Sequence, residues 1–309
     1  MRVVFMGTPD FSVPTLEKII EAGHDVVAVV TQPDKPKGRG NAVLHTPVKQ
    51  KALENDIPVY QPIKVREEEF IEVLRKLEPE VIVVVAFGQI LPKAILDLPK
   101  YGCINVHASL LPKLRGAAPI QWAIIDGESE SGVTTMFMDV GLDTGDMLLK
   151  ARTEITPEET GGSLHDKLSA LGGNLLIETL KQLKDGSIVR EKQDDSLSNY
   201  AKMLDKALGK IAFSMPAKYI ERLIRGLNPW PSAYTSLDGK TLKIWAADVV
   251  EDDITGQVGE IVKVNKDTLL VKTGEGMLAV KELQLEGKKR MTVEAFLRGY
   301  TVSEGTVLR

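Results

Sequence analysis

Asn105 and His107 are the two side chains whose types and spacing best suit chemistry. One residue separates them in the apolar stretch Cys103 to His107, so in a β-strand both would point to the same face. Histidine gains and loses a proton near neutral pH, and asparagine offers an uncharged hydrogen-bond donor. The pair could therefore move a proton and stabilise a developing negative charge. Taken alone, such a histidine is more often structural, and that interpretation stays open.

A loop with three carboxylates, downstream of this pair, is the second candidate for chemistry. It carries Asp139, Asp143 and Asp146, and Gly141 and Gly145 punctuate it directly after an apolar run. Acids in such a loop are usually solvated, which is the simplest interpretation. If the loop returns to the edge of the sheet where the histidine strand ends, one acid can instead serve a catalytic histidine.

The elements that must position these side chains follow a βαβ rhythm. Short apolar runs, such as Val3 to Met6 and Val26 to Thr31, alternate with helical patterns such as Thr15 to Ala22. The run Val81 to Val85 is continuously apolar and β-branched, which is typical of a central strand buried on both faces. We predict an α/β fold with a Rossmann-like, mostly parallel sheet, whose carboxyl edge binds ligands. The first turn, Gly7 to Phe11, lacks the glycine pattern of dinucleotide sites.

The pattern changes in the last third of the chain. Thr160 to Asp185 predicts one amphipathic helix, and the segment that follows is polar like a linker. After a second helix, about Pro216 to Arg225, only short alternating stretches remain, separated by turn pairs such as Asp238-Gly239. This pattern predicts a smaller all-β, OB-like barrel. We expect a catalytic domain at 1–190, a linker at 191–204 and the OB-like domain at 205–309.

Composition limits the class of protein. A length of 309 residues fits two domains at roughly 150 residues each. The single cysteine, Cys103, excludes a disulfide framework and a cysteine zinc cluster. No apolar run approaches the ~18 residues of a membrane span or forms a signal-peptide core, so we predict a soluble cytoplasmic protein without a membrane partner. The net charge is −4, but residues 205–309 carry 16 basic and 14 acidic side chains. A polyanionic partner would therefore be bound by local basic patches and not by the overall charge.

The stretch Asn105 to Gly116, in which Asn-x-His is followed by Ser-Leu-Leu-Pro, resembles the formyltransferases that use 10-formyltetrahydrofolate, and a G-x-D-x-G loop follows it as in that family. No motif position departs from the family pattern. Further matches span both predicted domains: Gly7 to Phe11, Thr31-Gln32-Pro33-Asp34, Gly38-Arg39-Gly40, Ala86-Phe87-Gly88 and Asn228-Pro229-Trp230-Pro231.

The resemblance implies that Asn105, His107 and Asp143 are the catalytic trio, and Asp143 is chosen among the loop acids because it occupies the centre of G-x-D-x-G. An amine that attacks a formyl carbon must lose a proton, the tetrahedral stage carries an oxyanion, and the leaving nitrogen must be protonated. On this pattern Asn105 would donate to the oxyanion, His107 would shuttle protons, and Asp143 would hold His107 charged and oriented. No step requires a metal, and we predict no metal site.

The resemblance also implies binding residues. Phe11 would help to hold a methionyl side chain, and Arg39, in the basic loop from Gln32 to His45, would contact the acceptor end of tRNA, although this loop could simply be solvated. The leucines of the implied folate slot could equally be core. The two walls of that slot are Ser109, Leu110, Leu111 and Pro112 on one side and Phe87, Gly88, Gln89, Ile90 and Leu91 on the other. The implied contacts to the tRNA backbone are Lys206, Lys210, Lys240, Lys243, Lys288, Lys289 and Arg290.

Within this family, the basic loop and the β domain favour the members that formylate initiator methionyl-tRNA, with a monomer as the expected state. Three alternatives stay open. A formyltransferase for a small amine, glycinamide ribonucleotide or an aminosugar nucleotide, would share the trio but not need the basic loop or the β domain. A 10-formyltetrahydrofolate hydrolase would admit water in place of the amine, and a non-enzymatic RNA-binding protein would not depend on the trio.

Overall fold

A computed structural model of the protein describes residues 1–37, 42–252 and 254–309. The chain forms two compact units. The first comprises Met1–Pro119, Ser131–Thr153 and His165–Ala201, and the second comprises Ile120–Glu130, Glu154–Leu164 and Lys202–Arg309. The domain bounds 1–190, 191–204 and 205–309 stay a prediction.

The helices and strands are numbered in chain order. Up to residue 201 they are β1 (Arg2–Gly7), α1 (Val13–Glu21), β2 (Asp25–Val30), β3 (Lys35–Lys37), β4 (Ala42–Leu44), α2 (Pro47–Glu54), β5 (Val59–Tyr60), α3 (Glu68–Leu77), β6 (Val81–Val85), α4 (Lys93–Leu96), β7 (Cys103–His107), β8 (Arg115–Gly116), α5 (Pro119–Ile125), β9 (Glu130–Phe137), β10 (Met147–Glu154), α6 (Gly161–Asp185) and β11 (Tyr200–Ala201). From residue 202 onward they are α7 (Ala217–Gly226), β12 (Ala233–Leu237), β13 (Lys240–Val250), β14 (Ile261–Val264), β15 (Leu269–Lys272), β16 (Met277–Leu285), β17 (Met291–Thr292) and α8 (Val293–Leu297).

A seven-stranded sheet in the order β10-β9-β7-β6-β1-β2-β5 forms the centre of the first unit. The run from β7 to β5 is parallel throughout, whereas β9 is antiparallel to β7. Strand β6 is buried along its whole length, as expected for a central strand covered on both faces. The predicted Rossmann-like, mostly parallel sheet is confirmed.

Three loops with candidate residues follow β1, β6 and β7, which are parallel neighbours, so they leave the sheet at one edge. The loop that carries Asp143 starts at the opposite end. Because β9 is antiparallel, it finishes beside the start of β7, where the Met138 N–H donates to the Cys103 carbonyl at 2.8 Å. The Asp143 loop therefore extends from that end back to His107. This route differs from a simple return to the carboxyl edge, which is what the sequence alone suggests.

Helix α6 confirms the predicted amphipathic helix over 160–185, since Leu164, Leu168 and Leu176 are fully buried. It also covers one face of β7: a Cβ atom on Gly172 would lie 2.9 Å from Val106 Cγ1. Alternation along β7 leaves the Asn-His pair on the other face. In the described part of the chain, no helix is long and apolar enough to cross a membrane.

An antiparallel sheet in the order β12-β13-β16-β15-β14, with β17 beside β16, forms the second unit. The predicted turn Asp238-Gly239 joins β12 to β13 with φ of +50° and +75°, the backbone that two-residue hairpins need. Helices α7 and α8 pack on this sheet through Ile220, Ile224 and Phe296. Helix α8 is absent from the sequence prediction, because five residues are too few for helical periodicity to appear.

Two short segments of the first half of the chain belong to this second unit. Ile125 is fully buried with Leu223 and Leu227, and the Gly162 N–H donates to the Asn228 carbonyl at 2.9 Å. A chain that ends near residue 204 would therefore expose apolar surface on Ile125.

The polar segment that the sequence predicts as a linker is tied into the first unit. Strand β11 pairs with β8 in parallel, with Tyr200 opposite Arg115 and Ala201 opposite Gly116. Further upstream, Gln193 is only 6% exposed. Polar composition alone does not separate a connecting segment from one that is hydrogen-bonded along its length.

Candidate active site

His107 ends β7 with its side chain turned inward. That side chain is 7% exposed, and its Nε2 lies 2.9 Å from the carbonyl oxygen of Leu114. A carbonyl oxygen only accepts, so Nε2 carries the hydrogen in this bond. The other ring nitrogen, Nδ1, is therefore the atom at which His107 can take up or release a proton.

Asp143 lies next to that nitrogen. Its Oδ1 is 3.8 Å from His107 Nδ1, which is too long for a direct hydrogen bond but close enough to attract a protonated ring. Its Oδ2 accepts from the Gly116 N–H at 2.9 Å. Asp143 has φ of +53°, a left-handed conformation that a non-glycine residue keeps only where its surroundings hold it. The structure thus brings the predicted acid and histidine together.

Asn105 lies two residues before His107 and is half-buried. Its neighbours across the sheet are Val84 of β6 and Met136 of β9. Because residues two apart in a strand share a face, Asn105 and His107 lie on the face that α6 leaves uncovered. An amide there can donate to an oxyanion that forms close to the His107 ring.

The segment Ser109 to Pro112, predicted as one wall of the folate slot, is held by internal hydrogen bonds. The Leu111 N–H donates to Thr134 Oγ1 at 3.1 Å, and the Ser109 side chain is buried and donates within the loop. Leu111 belongs to the core. Leu110 and Pro112 are half-exposed, so they are the side chains of this segment that can contact a ligand.

The opposite predicted wall divides in the same way. Phe87 and Leu91 are buried in the core of the first unit. Gly88 is exposed, Ile90 is 81% exposed, and Gln89 is hydrogen-bonded to the backbone of a neighbouring loop. Gly88 and Ile90 are therefore the members that can face a ligand.

Phe11 follows β1 at the edge of the sheet where His107 ends β7. It is buried and packs edge to face with His165, with 5.3 Å between the ring centroids. Its carbonyl accepts from Ser169 Oγ at 2.7 Å. Two residues of α6 therefore hold Phe11 in place.

Arg39 lies outside the described residues, but the two ends of its loop are described. Asp34 precedes β3 and His45 follows β4, and Asp34 Oδ2 lies 2.9 Å from His45 Nδ1 and 2.5 Å from Lys49 Nζ. Gln61 Nε2 donates to the other carboxylate oxygen at 2.8 Å. These hydrogen bonds, that from Lys49 most of all, hold the pKa of the Asp34 carboxyl well below its usual range.

This network makes the contribution of Asp34 to stability depend on pH. The folded state favours the ionised carboxylate, so the contribution is complete above the unfolded-state pKa of about 3.9 and is lost as the pH falls below it. We expect Asp34→Asn to lower the urea midpoint at pH 7. The difference in urea midpoint between this variant and the unsubstituted protein should shrink below about pH 4. Asp25→Asn, at an exposed ion pair, is the control. Equal midpoints at pH 7 would contradict this expectation.

The basic residues predicted to contact the tRNA backbone lie in the second unit. Lys243 Nζ and Arg290 Cζ lie 5.6 and 5.0 Å from the centre of the Trp245 ring. Lys243 and Trp245 alternate with the buried Leu242 and Ile244, so both lie on the other face of β13. The other five are exposed: Lys206, Lys210, Lys240, Lys288 and Lys289.

Two polar side chains near His107 and Asp143 carry no signal in the sequence. Gln193 and Asn199 lie in the segment predicted as a linker, and both hydrogen-bond to the residues around the His107–Asp143 pair. A single polar residue in a polar segment has no periodicity or spacing that would mark it. Among the described residues, no group of three or more histidine, cysteine or acidic side chains is arranged to hold a metal ion.

Comparison with known proteins gives two matches to family models. Residues 1–180 match the formyl transferase model, and residues 203–301 match the model for the formyl transferase C-terminal domain. Two solved structures are similar in fold at 19% sequence identity. One is WlaRD, a sugar 3N-formyl transferase, with a TM-score of 0.67 over 94% of this chain and 99% of that one. The other is an N-formyltransferase from Helicobacter canadensis, with a TM-score of 0.68 over 94% of this chain and all of that one.

Relatives that are similar over their full length identify the family more narrowly than the fold does. The methionyl-tRNA formyltransferase of Agathobacter rectalis is 58% identical over 306 residues, which are 99% of each chain. That of Clostridioides difficile is 52% identical over 308 residues, which are 100% of each chain. Sequence identity at this level, over both units, is enough to assign the family. The matches to both domain models support the same assignment. This chain therefore belongs to the methionyl-tRNA formyltransferases.

Proposed function

We infer that the protein transfers the formyl group of 10-formyltetrahydrofolate to the free amino group of the methionyl moiety of initiator methionyl-tRNA. The observation that carries this inference is the identity of 52% and more, over nearly the whole chain, to enzymes named for that reaction. The product is N-formylmethionyl-tRNA for the start of translation. We propose that the protein acts as a monomer in the cytoplasm, where charged tRNA is available.

The proposed mechanism uses three side chains of the first unit. The methionyl nitrogen attacks the formyl carbon and loses a proton, a tetrahedral centre with an oxyanion forms, and the bond from carbon to folate N10 breaks as N10 takes up a proton. Asn105 donates to the oxyanion. His107 exchanges the protons at Nδ1, because its Nε2 is engaged by Leu114. Asp143, 3.8 Å away, stabilises positive charge on the ring while the oxyanion exists.

The proposed folate slot uses the exposed members of the two predicted walls. Leu110 and Pro112 on one side and Gly88 and Ile90 on the other are accessible, and they offer apolar surface and backbone groups to a flat ring system. The buried members, among them Phe87 and Leu111, support these residues from behind. Phe11 is proposed to contact the methionyl side chain.

The proposed tRNA surface of the second unit centres on Trp245. An aromatic ring flanked by Lys243 and Arg290 can accept a stacked base while the cations contact phosphates. The five exposed lysines named above are proposed as further contacts to the tRNA backbone: Lys206, Lys210, Lys240, Lys288 and Lys289.

A formyl-transfer assay tests the proposed function. Labelled 10-formyltetrahydrofolate is offered with one of three acceptors: charged initiator tRNA, charged elongator tRNA or glycinamide ribonucleotide. We expect transfer to charged initiator tRNA at the highest kcat/KM. Preferred transfer to glycinamide ribonucleotide would favour a small-amine formyltransferase, and release of formate without any acceptor would favour a hydrolase.

Arg39 is proposed to contact the acceptor end of the tRNA. We expect Arg39→Ala to raise KM or to lower kcat/KM for charged initiator tRNA and to leave folate binding unchanged, because the proposed contact of Arg39 is with tRNA and not with folate. If Arg39 contacts only a phosphate, its removal would weaken the binding of both tRNAs equally and lower the salt slope of binding by about one unit. A base or shape contact would instead narrow the difference between initiator and elongator tRNA.

Kinetics on both tRNAs at two salt concentrations separate these cases. Arg75→Ala is the matched control, since Arg75 forms ion pairs with acidic residues of its own helix. If Arg39→Ala and Arg75→Ala have the same kinetic constants on both tRNAs, Arg39 makes no contact with tRNA that matters for the reaction.

A further inference from the structure

Gln193 is a buried polar side chain that the proposed mechanism does not use. Its Nε2 donates to the backbone carbonyls of Asp143 and Gly145, each at 2.8 Å. Its Oε1 accepts from two nitrogens of Arg115, Nε at 3.0 Å and Nη2 at 2.8 Å. All four hydrogen-bonding positions of the amide are therefore filled. The reverse orientation of the amide would place its NH2 group against a guanidinium and its oxygen against two carbonyls. Hydrogen-bond chemistry therefore supports the orientation described here.

These bonds join the two segments that form the proposed site. The loop from 138 to 146 carries Asp143, and the segment that contains Arg115 also supplies the Leu114 carbonyl that binds His107 and the Gly116 N–H that binds the Asp143 carboxylate. Arg115 is 11% exposed on its side chain, so its bonds to Gln193 are shielded from water.

The same stretch of chain supports the histidine side of the site. Asn199 Oδ1 accepts from the Leu114 N–H, and the Asn199 carbonyl accepts from the Arg115 N–H at 3.1 Å. Glu191 exchanges two backbone hydrogen bonds with Met147, at the end of the Asp143 loop. Residues 191–201 therefore run as a brace along both segments.

We propose that Gln193 is a positioning residue for formyl transfer, which holds the Asp143 loop so that the carboxylate faces His107 Nδ1. This inference rests on the proposed function. Asp143 adopts a left-handed φ of +53°, a conformation that costs some free energy in any residue with a Cβ atom and that hydrogen bonds to its backbone help to hold. The Gln193 amide binds the carbonyl of Asp143 itself and that of Gly145, so it restrains the backbone on the C-terminal side of the strained residue.

Gln193→Glu isolates this role. The carboxylate keeps the size of the side chain and still accepts from Arg115, but it has no N–H for the carbonyls of Asp143 and Gly145 and repels them. We expect kcat to fall about 10- to 100-fold, the scale of a misplacement near 1 Å in an active site. We expect KM for tRNA to stay close to that of the unsubstituted enzyme. The urea midpoint is measured with it, because two carbonyls that lose their donor lower the stability of the folded state.

Asp195→Ala is the matched control. Asp195 binds the same Arg115 at 2.8 Å but is 82% exposed, so its removal leaves the bonds to the Asp143 loop in place, and kcat should stay within about twofold. Gln193→Met is the second variant, which fills the same space with no hydrogen-bonding group. Either Gln193 variant that folds decides the matter, and unchanged kcat in a folded variant would overturn the proposal.

A double-mutant cycle shows whether Gln193 acts through Asp143. If it does, adding Gln193→Glu to Asp143→Ala causes no further loss of kcat, because the side chain being positioned is gone. Losses that multiply would overturn the positioning role, since a general weakening of the fold acts independently of Asp143. Failure of the proposed function gives a different result, because the unsubstituted protein would then transfer no formyl group to charged initiator tRNA.

Discussion

His107→Ala and Asp143→Ala are each expected to lower kcat for formyl transfer at least ~100-fold, the scale of removing an acid-base group. His107 Nδ1 is free to exchange a proton, because Nε2 is bound to the Leu114 carbonyl, and Asp143 lies 3.8 Å from Nδ1. Single-turnover kinetics with charged initiator tRNA would measure the loss. Affinity for tRNA, measured by filter binding, should change little, because the His107 and Asp143 side chains expose only 7% and 12% of their surface.

Asp139→Ala is the matched control for Asp143→Ala. Asp139 is an acid of the same loop but is exposed, so its removal should leave kcat nearly unchanged.

Asn105→Ala should lower kcat ~100-fold or more, as loss of an oxyanion donor does. Near-normal turnover in the His107 or Asp143 variant would show that the trio is wrongly assigned, even if the protein formylates methionyl-tRNA.

Gly145→Ala is expected to lower kcat about 100-fold although the new methyl group is not at the reacting atoms. A Cβ on Gly145 would lie 1.9 Å from the Phe137 carbonyl oxygen, and real Cβ contacts are almost never below 3.0 Å. The backbone must therefore move by about 1 Å, two residues from Asp143 and at a carbonyl that Gln193 binds. The loss would be measured as kcat together with the urea midpoint.

Gly141→Ala provides the comparison within the same loop. Its Cβ would meet the Thr144 hydroxyl at 2.2 Å, but this atom belongs to a side chain and not to the backbone, so the backbone of the loop can stay closer to its position. We expect kcat to fall far less than in Gly145→Ala. A Gly145→Ala enzyme with the kcat of Gly141→Ala would mean that the position of this backbone does not control Asp143.

The similar structures and the similar sequences support different conclusions. The two sugar formyltransferase-like structures share the fold at 19% identity, so they carry no argument about the acceptor. The proposed acceptor rests on the relatives at 52% to 58% identity over nearly the whole chain. The proposed contacts to tRNA, in the Arg39 loop and around Trp245, are therefore the places where this enzyme should differ from formyltransferases of small amines.

Features that depend on adjacent residues could be predicted from the sequence. Strand β6 has the predicted bounds, Val81–Val85, and β7 has those of the stretch Cys103–His107, because apolar, β-branched runs determine a buried strand locally. The spacing of Asn105 and His107 placed them on one face for the same reason. The motif from Asn105 to Gly116, which resembles the formyltransferases, also consists of adjacent residues.

Other features depend on contacts between residues far apart in the chain, and only the tertiary structure decided them. The antiparallel direction of β9 determines the route by which Asp143 reaches His107. Gly116, which binds the Asp143 carboxylate, is 27 residues away from it, and Gln193 is 78 residues from Arg115. Local spacing cannot encode such pairs, because the burial and the hydrogen-bond partner of a polar side chain are determined by whichever segment folds against it.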